Sequence, residues 1–310
     1  MELSLLLLEK ILSMALMVLM GYAVVRFGAI GKGKTAPISS LTLYIICPCM
    51  ILSAFQIELN RQRLAGLGLA LIAAVVLHVV FILLTRVIGD KLGLDGVERA
   101  SLIYSNGGNL IVPLVSSLLG DEYVFYCCAF IAFQTVLVWV HLPRLLVKGY
   151  KPNLRKILCN PNIISIAAGL ILFLSGIRFT GIIADTIDSV SGTIGPVAML
   201  MIGMLMAEVD LKRVFTNWKS WVVAFGRLIV YPVVMIGVIL LTGVTRWMPG
   251  AKEVLLVTML ATCAPIAVSI SQMADLFGGD SVKASALNVM TVIFCIVTMP
   301  LVIALYQLVC

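Results

Sequence analysis

Apolar positions gather along this chain into windows of about 20 residues separated by short polar stretches, the length an α-helix needs to cross the hydrocarbon of a bilayer. Ten windows fall at roughly residues 4–25, 36–57, 64–88, 99–119, 122–143, 157–177, 189–208, 219–243, 253–277 and 283–307. The pattern predicts an all-α integral membrane protein of ten transmembrane helices. Two windows are broken at their centres. Span 4 reads Tyr104-Ser105-Asn106-Gly107-Gly108-Asn109-Leu110-Ile111-Val112-Pro113, and span 9 reads Ala261-Thr262-Cys263-Ala264-Pro265-Ile266-Ala267-Val268-Ser269. An unpaired backbone group in hydrocarbon is costly, so a helix interrupted at mid-membrane survives only where it lines a protein-walled or watery cavity. Paired interruptions in matching places of two halves are a sequence pointer to a transporter's binding site.

The matching places follow from a cut in the Gly149–Asn153 stretch, which leaves five spans on each side. Because five is odd, the halves enter the membrane in opposite directions, as an inverted repeat does. The expected division is a first repeat over residues 1–148, a cytoplasmic linker over 149–156 and a second repeat over 157–310. Weak echoes run in the same order through both: Glu9-Lys10-Ile11-Leu12 with Arg155-Lys156-Ile157-Leu158, Pro48 with Pro196, and Pro143 with Pro300.

Proline in a helix removes its own N–H bond and displaces the carbonyl four residues earlier. Pro113 is thereby expected to free the Asn109 carbonyl, and Pro265 that of Ala261. Gly107 and Gly108 loosen the first break and let a backbone or ligand come close. Each broken span yields two half-helices with a positive N-terminal and a negative C-terminal inner end. Inversion brings two positive ends together, an anion site built from backbone to which Asn106, Asn109, Thr262 and Ser269 can add neutral hydrogen bonds. The plainer alternative is that both prolines are kinks. The acids argue for an anion. All 15 lie in loops or near span ends, whereas a cation exchanger of this design is expected to hold a carboxylate at the breaks.

Composition removes the competing classes. A hydrophobic fraction of 61%, a charged fraction of 12% and a mean hydropathy of +1.12 do not suit a soluble domain. The net charge of +7 would suit nucleic acid, but the basic residues sort by side of the membrane. With Met1 outside, 15 of the 22 fall inside, six outside and Arg227 within a span, which predicts both termini outside the cytoplasm and an Arg144–Lys156 linker inside it. The chain is thus expected in the cytoplasmic membrane, with the bilayer and not nucleic acid as its surroundings. The first span has no basic n-region and reads as a retained helix. The eight cysteines lack metal-type spacing and read as small buried hydrophobes. No metal, cofactor or Walker motif is expected. An intramembrane enzyme would need a nucleophile with a base, a metal cluster or paired aspartates; the two histidines, His78 and His141, are far apart in the chain.

Asn106-x-Gly108 with Pro113 seven residues after the Asn, followed by Leu114 and Gly120, resembles the fourth-helix motif of the auxin efflux carrier family. Further matches are Pro265-Ile266-Ala267-Val268 with Asp275 ten residues after Pro265, Pro196 with Gly203, Arg227-Leu228 with Pro232, and Pro48, in family order over nearly the whole chain. The resemblance implies the fold shared with NhaA-type antiporters and bile-acid transporters. It also implies a secondary active transporter of small organic acids, such as malate, malonate or auxin-like acids, that works as an elevator. One bundle of spans 3–5 with 8–10 would move against a scaffold of spans 1, 2, 6 and 7. A homodimer is the expected assembly, and H⁺ or Na⁺ the candidate coupling ion. Ile111 stands where many members have Gly, and Ser269 where bacterial members often have Asn, so the substrate is not copied from a relative. A Na⁺-coupled symporter of the bile-acid type and a membrane sensor of the same fold stay open as alternatives.

The candidate binding residues are therefore Asn106, Gly108, Asn109, Pro113, Thr262, Pro265 and Ser269. His78, Arg227 and Asp275 are candidates for coupling or gating. Histidine titrates near neutral pH without help, so His78 can carry a coupling proton, or it stays neutral and bonded to a neighbouring helix. Arg227, two turns inside span 8, is expected to snorkel to the cytoplasmic face, to pair with Asp275 or to gate. Gln134 and Asn288 read as interhelical hydrogen-bonding residues that can face the breaks.

Overall fold

A computed structural model describes residues 2–31, 36–209 and 215–310, and the named elements there are helical. In chain order they are α1 (Glu2–Arg26), α2 (Pro37–Ala54), α3 (Arg61–Leu92), α4 (Gly96–Ile103), α5 (Val112–Leu119), α6 (Asp121–Val140) and α7 (Pro161–Ser175). They continue with α8 (Ile182–Ser191), α9 (Ile194–Met206), α10 (Trp218–Thr242), α11 (Ala251–Cys263), α12 (Ser269–Phe277) and α13 (Ser281–Val309), alongside a few shorter turns. Six stretches are long and apolar enough to cross a membrane: Pro37–Ala54, Arg61–Leu92, Asp121–Leu146, Ile182–Met206, Trp218–Thr242 and Ser281–Val309. Leu12–Arg26 and Pro161–Ser175 are shorter apolar helices. The two windows broken in sequence are broken in space, as α4 and α5, and as α11 and α12.

The helices pack in two sets. α1 lies along α9, and α2 lies against α7 and α8. α3 packs on α6, α11 touches both of these and α13, and α12 runs beside α13. The sets meet where α1 touches α5 and α13, α9 touches the turn at Gly107–Ile111 and α13, and α2 and α7 touch α6. At α1 and α9 the backbones approach so closely that a Cβ on Gly203 would lie 1.9 Å from the Val18 carbonyl oxygen, and one on Gly21 2.1 Å from that of Leu200. Small residues permit such approach, and in lipid this close packing is a main source of helix association.

Three π turns interrupt the helices, at Thr42–Ile46, Gly107–Ile111 and Gly226–Val230. Each ends two residues before a proline, respectively Pro48, Pro113 and Pro232. The proline ring collides with the carbonyl four residues back, and a widened turn absorbs that collision while the helix continues. Proline at these places therefore acts as more than a kink. It loosens one turn, and all three loosened turns adjoin the meeting of the two breaks.

At one end of the bundle, Asp95 caps α4 in a capping box with Glu98, and Lys283 of α13 pairs with both carboxylates. Burial raises the Asp95 carboxyl, but the bond from Lys283 and those from backbone N–H groups outweigh it and leave the pKa lowered. Glu98 is buried, though it occupies the first turn of its helix.

Candidate functional site

The chain leaves the helical conformation at Tyr104, which is extended, and at Ala264, also extended. Two extended segments cannot satisfy their own backbone, and here they satisfy each other. Asn106 N donates to the Pro265 carbonyl at 2.8 Å, Ala267 N donates to the Tyr104 carbonyl at 3.1 Å, and Ser105 faces Ile266 as an antiparallel bridge. A bridge pairs only one edge of each segment; the other edges are met by side chains. The Gln134 amide clamps Ser105, its oxygen accepting from the Ser105 N–H at 3.1 Å and its nitrogen donating to the Ser105 carbonyl at 2.8 Å. Ile266 is clamped by two residues one turn apart on α13. Thr291 Oγ1 accepts from the Ile266 N–H at 3.1 Å, and Asn288 Nδ2 donates to the Ile266 carbonyl.

The C-terminal ends of α4 and α11 arrive at one side of this junction, with their last carbonyls lacking intrahelical partners. Arg227 meets both. Its Nε donates to Ala264, Nη1 to Leu102 and Ile103, and Nη2 to Ala261 and Thr262, at 2.9–3.4 Å. A guanidinium carries five donors in a rigid fork, and a cation at helix C-termini balances their partial negative charge. Arg227 is 1% exposed, so the expected snorkelling to the cytoplasmic face does not occur. Nor does it pair with Asp275, which is exposed on α12. The two free helix ends hold the arginine more cheaply than a carboxylate would, because each carbonyl needs a donor in any case.

The opposite, N-terminal ends open on a cavity of about 190 Å³. The π turn leading into α5 and the start of α12 both line it, through Asn106, Gly107 and Gly108 and through Ala267, Val268 and Ser269. A Cβ on Gly108 would meet nothing within 4 Å, so its backbone is bare to the cavity. Asn106 is 5% exposed, and its Nδ2 has no hydrogen-bond partner. The remaining wall comes from α2, α6, α9 and the start of α7, including Ser39, Thr42, Trp139, Asn160, Asn162 and Met201. Each described residue of the lining is uncharged. A second, larger cavity of about 690 Å³ reaches Val112 and Pro113 and is bordered by Lys10, Ser53, Asp121 and Asp188. Ser39 and Ser53 line different cavities and lie 14 residues apart on α2, about 21 Å of helical rise, so the two open toward opposite ends of the bundle.

The residues singled out from sequence thus divide. Asn106, Gly108 and Ser269 line the smaller cavity. Pro265 supplies a carbonyl to the bridge, and Pro113 faces the larger cavity as an early residue of α5. Thr262 turns its hydroxyl to Thr258 within α11, leaving only its carbonyl at the junction, on Arg227. Asn109 belongs to the π turn, and its side chain lies outside the described residues. His78 bonds the Ala74 carbonyl of its own helix at 2.7 Å and packs among Tyr104, Phe130 and Phe133. Thr291, Asn160 and Asn162 were not evident from sequence. Thr291 had one signal, its place three residues after Asn288 on the same helical face. Asn160 and Asn162 flank Pro161 and read simply as helix-start residues.

Among the described residues no group of His, Cys, Asp and Glu is placed to hold a metal. A family described as Membrane transport protein matches the chain twice, over residues 6–152 and 143–303. A comparison with curated proteins returns no match.

Proposed function

The chain belongs to the Membrane transport protein family, which includes the auxin efflux carriers, and on that premise we propose that it is a secondary active carrier of a small organic acid anion. The observation that carries this reading is the sorting of helix ends at the junction. The two C-terminal ends are neutralised by Arg227, whereas the two N-terminal ends face a cavity with Asn106 and no described charged side chain. Helix N-termini attract anions through their free N–H groups and positive end of the dipole. A carboxylate at this place needs no basic side chain.

The proposed architecture is ten spans in two inverted halves, residues 1–148 and 157–310, with both termini outside the cytoplasmic membrane. Packing in two sets supports an elevator, in which α3–α6 with α10–α13 carry the junction past α1, α2 and α7–α9. The smaller cavity then opens inward and the larger outward, and a homodimer would anchor the scaffold. A secondary active carrier of this kind is driven by a coupled gradient, of H⁺ or Na⁺.

The test is charge at the start of α12. Ser269→Asp places a tethered anion in the field meant for the substrate and is expected to abolish organic-anion uptake into proteoliposomes, while Ser269→Asn keeps much of it. A buried carboxylate can protonate, so both folded variants are compared over a pH series. Normal uptake by Ser269→Asp at a pH where the acid is ionised would show that the cargo is not an anion. The orientation is tested separately. A cysteine at Lys151, in a background without other accessible thiols, should resist impermeant reagents in intact cells and react after permeabilisation; labelling from outside inverts the topology.

A further inference from the structure

Two buried polar atoms at the smaller cavity lack a partner, and they are of opposite kinds. Asn106 Nδ2 is a donor at the junction, and Asn162 Oδ1 is an acceptor on the first turn of α7. Buried hydrogen-bonding groups are almost always satisfied, so an unmet atom in the wall of a cavity is open to a partner from outside the chain. A molecule that fills this cavity is complementary to it when it offers an acceptor to Asn106 and a donor to Asn162.

The charge of that molecule follows from the helix ends. Each N-terminus carries about half an elementary positive charge, and two of them face the cavity, so the backbone supplies about one positive charge in all. Arg227 adds little to that sum, because its guanidinium is spent on the carbonyls of the opposite ends. One carboxylate is balanced. A second would be buried against uncharged walls such as Trp139 and Met201, where an unpaired ion is costly. An ammonium donor would likewise find no described carboxylate in the lining. The donor is therefore neutral.

We infer that the cargo is a small monocarboxylate bearing a hydroxyl group, its carboxylate on Asn106 and the two helix N-termini and its hydroxyl donating to Asn162. This deepens the anion-site reading above and rests on it.

Four probes separate charge from hydroxyl: lactate, propionate, malate and succinate, titrated against the purified full chain by calorimetry and thermal shift. Lactate is expected to bind tightest. Propionate should bind about five- to tenfold more weakly, the value of one hydrogen bond. Malate and succinate should bind at least about tenfold more weakly than lactate, as an uncompensated buried charge requires. Asn162→Ala should bring lactate down to the level of propionate and leave propionate unchanged. Asn162→Thr, a second variant checked for folding, should restore part of the preference. Malate or succinate binding as tightly as lactate overturns the single-charge inference and leaves the anion site standing. Equal affinity for lactate and propionate, or a lactate preference that survives in Asn162→Ala, overturns the hydroxyl assignment. Binding of none of the four, with stabilisation by a neutral or cationic compound, defeats the anion site itself.

Discussion

The two breaks have the same backbone problem and solve it with different residues. At the first, Asn-Gly-Gly-Asn passes through a π turn before the helix resumes, and a single Gln134 amide serves both free groups of Ser105. At the second, Ala-Pro-Ile-Ala re-enters helix at Ser269, and the two free groups of Ile266 are divided between Thr291 and Asn288. The first break delivers a polar side chain to the cavity, Asn106; the second delivers backbone and the small hydroxyl of Ser269. What the breaks share is therefore a hydrogen-bond account, with one donor and one acceptor to be met at each bridge residue, and not a motif.

Arg227 serves both breaks at once. Arg227→Met keeps much of the volume and leaves the two C-terminal ends without donors, so a loss of at least about 3 kcal/mol is expected, since each buried unmet group costs about 1–3 kcal/mol. Thermal unfolding in detergent measures it. A Met variant as stable as the parent would mean that the carbonyls find other donors, and the sorting of helix ends would fall with it.

The asymmetry between one clamp and two predicts the next effect. Gln134→Leu strips both the N–H and the carbonyl of Ser105 and should cost about 2–4 kcal/mol, whereas Thr291→Val strips only the Ile266 N–H and should cost about 1–2 kcal/mol. Equal losses in the same unfolding assay would erase the distinction drawn between the breaks.

The smallest effect on stability is expected at Asn106, whose free amide holds nothing in the protein. Asn106→Ala should change stability by no more than about 0.5 kcal/mol. It should nonetheless weaken anion binding by about ten- to a hundredfold, the value of a hydrogen bond to a charged group. Thr262→Val, by contrast, removes a hydroxyl bonded within its own helix and turned away from the cavity, and should leave binding within about twofold. Calorimetry with an organic acid decides the pair; a stronger effect at Thr262 would move the site away from the cavity.

Much of this protein was legible in its residues alone, for a physical reason. Hydrocarbon forces apolar runs of helical length and forbids a broken backbone without shelter, so a multi-pass helical membrane protein, the two breaks at Asn106–Pro113 and Ala264–Ser269 and the transporter family could be read along the chain. The need for donors and acceptors at Ser105 and Ile266 is likewise local. Which groups answer that need is not. Leu102 and Ala264 are brought to one guanidinium although 162 residues separate them, and from its place in span 8 Arg227 looked like a residue reaching for the membrane surface. Thr262 looked like a ligand for the same reason, since nothing in its neighbours says whether a hydroxyl turns inward to its own helix or outward to a cavity. A sequence specifies which backbone groups will be left open; only packing decides which distant side chain closes them and which remain open for a ligand.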